Sequence, residues 1–187
     1  KKIKGLKGAT TSIMVFNPKL PIYLNEALAG LLANLYCDGS IDRNNSFTGE
    51  YINTCKELRE QIKKYFLNSV GEPAYFSENE YKFTNKQDVG KVRIPSFIVK
   101  ALYKKFKLNN DKIPKQIFDS NKRIKSFYLK SVFDDEGTVH KEHGQIKLKM
   151  KPISYVNDVR NILEKTFNIK CSEIVLELKQ NEKYYYF

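Results

Sequence analysis

From Leu24 to Ile41 the chain reads LNEALAGLLANLYCDGSI, and its apolar positions fall at helical spacing. Leu24, Ala27, Leu28, Leu31, Leu32 and Leu35 recur at intervals of three and four, which predicts one helix with an apolar face. Asn25 stands at the capping position, and Glu26 falls in the first turn, where a carboxylate suits the helix dipole. A second ridge is made of small residues, Ala29, Ala33 and Cys37, with Gly30 alongside, so another helix can approach closely. Gly39 then offers the left-handed residue that commonly ends a helix. Asp38, just before it, faces the negative end of the helix dipole. A divalent cation is the simplest compensation.

The same ending recurs half a chain later. Lys122 to Val139 reads KRIKSFYLKSVFDDEGTV, with Ile124, Phe127, Tyr128 and Val132 at helical spacing. Ser131 and Asp135 take the places of Ala33 and Cys37, and Glu136-Gly137-Thr138-Val139 mirrors Asp38-Gly39-Ser40-Ile41. A matched pair of such helices implies an internal duplication.

Between and beyond these helices the periodicity shortens. Ser40–Asp42 and Ser46–Ile52 read as a strand pair turned through Arg43-Asn44-Asn45. Thr54 and Glu57 have capping-box spacing, predicting a helix through Phe66 with Leu58, Ile62, Tyr65 and Phe66 inward. Short strands at 73–76, 80–84 and 91–94 precede a helix at 97–106, and 108–121 is a polar connector. In the second half, strands at 138–141 and 145–150 turn at His143-Gly144, a helix spans 153–167, and strands follow at 172–178 and 183–187. A counterpart of the 97–106 helix is missing there, which reads either as a shortened repeat or as a truncated chain. Before Leu20 the chain is basic, with a β-prone run at 11–16. The order is α+β, divided as an N-terminal extension (1–20), a first repeat (21–107), a linker (108–121) and a second repeat (122–187).

Charge changes the picture next. Lys and Arg number 33 against 21 Asp and Glu, a net +12, and such a surplus points to a polyanion, nucleic acid first. The clearest alternation in the chain is Gln145–Lys151, with Ile146, Leu148 and Met150 on one side and Lys147, Lys149 and Lys151 on the other. Lys91 and Arg93 alternate with Val92 and Ile94 in the same way. Each sheet then has an apolar face to bury and a basic face to lay along phosphates. No apolar run approaches the roughly 18 residues of a membrane span, so no membrane association is expected. The three cysteines, Cys37, Cys55 and Cys171, are odd in number and widely spaced, which argues against a disulfide framework or zinc site and suits a reducing intracellular compartment. His140 and His143 have too few companions for a metal site and read as a solvated turn.

LLANLYCDG (Leu31 to Gly39) and LKSVFDDEG (Leu129 to Gly137) resemble two copies of the nine-residue motif of the LAGLIDADG homing endonucleases. The second copy is the closer match. The first departs at Tyr36, where an acid is usual, and at Ala33, where glycine is usual; in the second, Asp135 replaces a small residue. The acid before the terminal glycine, the family's metal ligand, is kept in both copies as Asp38 and Glu136.

The resemblance implies two pseudo-symmetric αββαββ(α) repeats packed through their motif helices, with antiparallel sheets forming a DNA-binding saddle. It also implies a monomeric, Mg2+-dependent endonuclease cutting both strands of a long double-stranded DNA site, in the service of intron or intein mobility. Asp38 and Glu136 would hold metal and act in catalysis. Ala29, Ala33, Cys37, Ser131 and Asp135 would line the helix interface, and Arg43, Lys91, Arg93, Lys147 and Lys149 would contact DNA. The family also places a basic residue near each active site, often before an Ile-Pro pair; Lys112, before Ile113-Pro114, is the candidate. Two other readings of the same fold remain open: a regulator that binds DNA without cutting, and an RNA maturase that assists intron splicing.

Overall fold

A computed structural model describes residues 2–3, 15–16, 19–41, 49–73, 77–83, 87–108, 111–179 and 182–187. Two short N-terminal strands, β1 (Lys2–Ile3) and β2 (Val15–Phe16), precede the first motif helix, α1 (Glu26–Cys37). Asn25 caps α1 by accepting the Leu28 amide at 2.8 Å. Then follow β3 (Gly39–Ile41), β4 (Gly49–Asn53), α2 (Lys56–Ser69), β5 (Glu72–Pro73), β6 (Ser77–Phe83), β7 (Gln87–Ile94) and α3 (Ser96–Phe106). A single turn, α4 (Lys115–Phe118), leads into the second motif helix, α5 (Lys122–Glu136). The second half continues with β8 (Gly137–His140), β9 (Gln145–Met150), α6 (Ile153–Phe167), β10 (Val175–Lys179) and β11 (Glu182–Tyr186).

The two large sheets share one topology. The first has strand order β3-β4-β7-β6 and the second β8-β9-β11-β10, all antiparallel. Gly39 lies opposite Tyr51 in the first sheet as Gly137 lies opposite Leu148 in the second. The fold is α+β with antiparallel sheets, as the periodicity indicates. β5 joins neither large sheet; it pairs with β2, which pairs with β1.

The core follows from which faces are apolar. Leu28, Leu31, Leu32 and Leu35 of α1 are buried with Tyr51, Val92 and Ile94 of the first sheet and Ile98, Val99 and Leu102 of α3. In the second half Ile124, Tyr128, Leu129 and Val132 of α5 are buried with Leu148, Met150 and Tyr155, Val156, Val159 and Ile162 of α6. Each aliphatic side chain so buried contributes about 1.5–3 kcal/mol. α1 is buried on every side from Leu28 to Leu35, because α2 and α5 flank it and the sheet supports it.

Several expectations need correction. Neither Gly39 nor Gly137 is left-handed; Gly137 is extended at φ −82, and the only positive-φ glycines among the described residues are Gly71 and Gly144. Glycine is needed there for space instead: a Cβ at Gly39 would lie 2.1 Å from the Leu35 carbonyl oxygen, and at Gly137 2.4 Å from that of Phe133. Gly30 faces α2 rather than the second motif helix, since a Cβ there would enter the Tyr65 ring at 2.3 Å. The Thr54–Glu57 capping box does not form; Cys55 is the cap residue, and its amide is held by Asn53 Oδ1 at 2.8 Å. The connector is more than polar, since Ile113 and Ile117 are buried in it. Ile146 shares a face with Leu148 and Met150 but is 62% exposed. Its topological counterpart Gly49 lies under Val99 of α3, and no helix covers Ile146 among the described residues. The turn containing Arg43 lies outside the described residues.

Candidate catalytic centre at the ends of the paired helices

α1 and α5 form the largest interhelical contact in the molecule. They run in the same direction, tied at both ends. Near their N-termini Arg123 Nε meets Glu26 Oε1 at 2.6 Å. Near their C-termini Asn34 Nδ2 donates to Asp135 Oδ2 at 2.8 Å. Ala29, Ala33 and Ser131 are fully buried, as the small-residue ridge requires. Asn34 Oδ1 and Ser131 Oγ are buried without a hydrogen-bond partner among the described residues. Parallel helices tied in this way deliver their final acids to the same end of the molecule.

Asp38 follows the last residue of α1, and Asn53 Nδ2 donates to its Oδ2 at 2.7 Å. Strand pairing brings Asn53 there: the Ile52 amide bonds to the Asp38 carbonyl at 3.3 Å, continuing the β3–β4 ladder. Asn53 Nδ2 also lies 3.2 Å from the Tyr51 hydroxyl, which donates to Asp135 Oδ1 at 2.6 Å. A polar chain thus crosses between the halves from Asp38 through Asn53, Tyr51 and Asp135 to Asn34. Burial raises the Asp38 carboxyl, and the Asn53 hydrogen bond works against that rise.

Glu136 is in a harder position. It is half-buried, with no hydrogen-bond partner among the described residues, and burial followed by the charges of Asp38 and Asp135 pushes its carboxyl up to about 7. Asp135 is also pushed up to about 7, by burial first, although the bonds from Tyr51 and Asn34 pull it down. Burial and two neighbouring acids thus act on Glu136 in the same direction, both favouring its protonated form. Cys37, on the same turn, has its thiol raised by burial and then by Glu136 and Asp135.

These donors fit a hard divalent cation. They are carboxylate oxygens, they repel each other, and Glu136 has no hydrogen-bond partner among the described residues. Among the described residues no three acidic, histidine or cysteine side chains converge into a closed metal cage. Two carboxylates leave positions for water and phosphate oxygens, the surroundings Mg2+ prefers.

The other anticipated residues are placed less directly. Lys112 is exposed, and its charge acts on Asp158 of α6, which also accepts the Ile113 amide at 3.1 Å. No contact between Lys112 and either motif acid occurs among the described residues. On the first sheet, Lys91 and Arg93 reach the same carboxylate, Glu50, at 2.7 and 3.2 Å. On the second, Lys147 Nζ lies 3.3 Å from the Tyr186 ring centre, and Lys149 pairs with Glu177 at 2.6 Å while lying 4.9 Å from the Tyr184 ring centre. The basic faces are therefore half-buried mosaics of cation, carboxylate and ring rather than bare lysine surfaces.

Sequence reasoning missed Asn34, Tyr51 and Asn53 altogether. It also noted Tyr36 only as a departure from the motif. Tyr36 stacks on Tyr155 of α6 with ring centres 4.2 Å apart and planes within 4°, and Tyr155 shares a 2.8 Å hydrogen bond with Tyr128. The aromatic side chain at an unusual motif position was the available signal that α1 touches the other half.

Paired parallel helices that end in acids, each followed by a sheet of one shared topology, define the LAGLIDADG fold, and this chain has it. Solved structures similar to it include I-DmoI in complex with DNA and Mn, at 12% identity and TM-score 0.54 over 88% of this chain and 90% of that one. The homing endonuclease I-WcaI bound to its DNA recognition sequence matches at 19% identity and TM-score 0.50, over 87% and 76% of the two chains. Full-length DUF199/WhiA from Thermatoga maritima matches at 13% identity and TM-score 0.59 over 86% of this chain, which spans 50% of that protein. I-DmoI has also been crystallised with DNA and Ca. No protein-family model and no curated protein sequence matches the chain.

Proposed function

We propose that the chain is a single-chain homing endonuclease that makes double-strand breaks in a long DNA duplex. The observation that carries this is the convergence of Asp38 and Glu136 at matched helix ends, with Glu136 half-buried and without a hydrogen-bond partner among the described residues. A half-buried acid without a hydrogen bond costs free energy unless a cation or substrate completes it. Repeats 21–107 and 122–187, joined by 108–121, would each supply one acid and one sheet. The N-terminal 1–20 would be an extension outside this two-fold arrangement.

Asp38 and Glu136 would be the residues that hold Mg2+. When bound there, the ion supplies charge stabilisation for the attacking water and the leaving 3′ oxygen. Asn53 fixes the Asp38 carboxylate by donating to its Oδ2. Asp135, held by Tyr51 and Asn34, adds negative potential beside Glu136, which a bound cation would offset. Lys112 is the proposed basic residue of the centre. Lys91, Arg93, Lys147, Lys149 and Arg43 are the proposed DNA contacts of the two sheets.

The same fold occurs in WhiA, so the fold alone does not separate cutting from binding. A regulator that binds DNA without cutting is the second reading, and the RNA maturase the third. Incubating the protein with DNA spanning its own gene's uninterrupted locus, in Mg2+ or in EDTA, separates these readings. Endonuclease action gives Mg2+-dependent double-strand breaks at one place. Retained intact duplex shows the regulator, and preference for the intron transcript over duplex shows the maturase.

A further inference from the structure

The cations of the first sheet are arranged differently from those of the second, and the difference bears on what each sheet reads. Glu50 and Arg93 are direct cross-strand partners on β4 and β7. They lie on the face opposite Tyr51 and Val92, which are fully buried in the core. Glu50 Oε1 takes Arg93 Nε at 3.2 Å, and Oε2 takes Lys91 Nζ at 2.7 Å. Both carboxylate oxygens are thus engaged, and the Glu50 side chain is only 16% exposed, against 43% for Arg93.

A guanidinium held through Nε keeps its Nη1–Nη2 edge pointing away from the holding carboxylate. Among the described residues no hydrogen bond reaches Arg93 Nη1 or Nη2. In the second sheet the matching position carries the opposite charge. Thr138 pairs with Lys147 where Ser40 pairs with Glu50. A carboxylate beside a guanidinium disfavours a phosphate through like-charge repulsion. It penalises the uncharged acceptors of a base edge far less than a full phosphate charge.

We propose that Arg93 reads a guanine in the major groove, donating from both Nη groups to O6 and N7, and that Glu50 is the residue that positions it. This rests on the duplex-binding reading of the site and adds a specificity determinant to it. Arg to guanine O6 and N7 is the pairing that the geometry of the fork favours. Lys147 of the second sheet, set over the Tyr186 ring with no ion pair among the described residues, is left for backbone contact.

The test uses the whole chain in Ca2+ with a pool of duplexes carrying a randomised stretch, followed by titration of the selected duplex. Failure to enrich any duplex would overturn duplex binding and this assignment together. With binding established, one G·C position should be preferred by about tenfold or more. Arg93→Lys, which keeps the charge, should abolish that preference, and 7-deazaguanine at the same position should weaken the parent alone. Glu50→Gln should bind all duplexes more tightly, with a steeper salt dependence and a smaller guanine preference. If instead Arg93→Lys keeps every base preference, or Arg93→Ala weakens all duplexes equally and lowers the log–log salt slope by about 0.9, Arg93 is a phosphate contact and the proposal is wrong.

Discussion

Asn34 on the first motif helix donates to Asp135 on the second at 2.8 Å, so a residue that breaks the small-residue pattern of the interface ties its two sides together near their C-termini. Asp135 also takes the Tyr51 hydroxyl at 2.6 Å. A buried carboxylate with two donors is stabilising only while both are present. The double-mutant cycle of Asn34→Ala and Asp135→Ala, measured by urea unfolding, should give a coupling energy of about 1 kcal/mol or more. Additive losses would mean that the bond contributes nothing to the pairing of the halves.

The raised carboxyls set the direction of pH dependence. Asp135 and Glu136, both pushed up to about 7, bind protons more tightly folded than unfolded. Their contribution is fully present below the ordinary carboxylate range and is lost as pH rises through about 7. The metal-free protein should therefore melt at a lower temperature at mildly alkaline pH than at mildly acidic pH. Glu136→Gln should flatten that fall, and Mg2+ should counter it in the parent by binding the ionised acids. A melting temperature that rises steadily across the same window would contradict the assignment.

How much of this was legible beforehand depended on the range of the interaction. The motif helices, α6 and α3 were readable because their apolar spacing and their Asn or Pro starts are local. The placement of Asp38 and Glu136 at the two helix ends was readable because the motif repeats. Asn53 was not: it reaches Asp38 only through the β3–β4 register, and alternation gives a residue's face but not its cross-strand partner. The same limit hid Glu50, Glu177 and Tyr186, which turn the expected lysine faces into paired ones. Thr54–Glu57 had the spacing of a capping box, but Asn53 already holds the Cys55 amide that starts α2.

Gly39 and Gly137 should tolerate nothing larger, for want of room rather than for φ. A Cβ would press on the Leu35 or Phe133 carbonyl oxygen, and each belongs to the last turn of its helix. Gly39→Ala should cost about 3 kcal/mol or more by displacing that turn. Gly144→Ala is the control: its φ is +59 with nothing within 4 Å of the new Cβ, so the left-handed cost alone applies, about 1 kcal/mol. Comparable melting losses in the two variants would show that backbone conformation, not contact, governs the Gly39 position.

Ala33 is fully buried on the small ridge of α1. Ala33→Leu should overpack the seam at a cost of about 1–3 kcal/mol, and should lower cleavage further than the lost stability explains by spreading the two acids. Leu28→Ala, in the core of the first half, should cost about 2–5 kcal/mol through a cavity while the folded fraction stays competent. Melting temperature and cleavage rate for the pair of variants check this, and equal activity per folded molecule would remove the link between helix spacing and chemistry.

On the proposed function, Asp38 and Glu136 together perform the chemistry and take no part in choosing the site. The direct measurement is cleavage of the selected duplex in Mg2+ by Asp38→Asn and by Glu136→Gln, with affinity for the same duplex measured in Ca2+. Both variants should fold, bind within about tenfold of the parent, equivalent to about 1.4 kcal/mol, and make no double-strand break. Undiminished double-strand cleavage by both would show that the acids at the helix ends are not the catalytic pair.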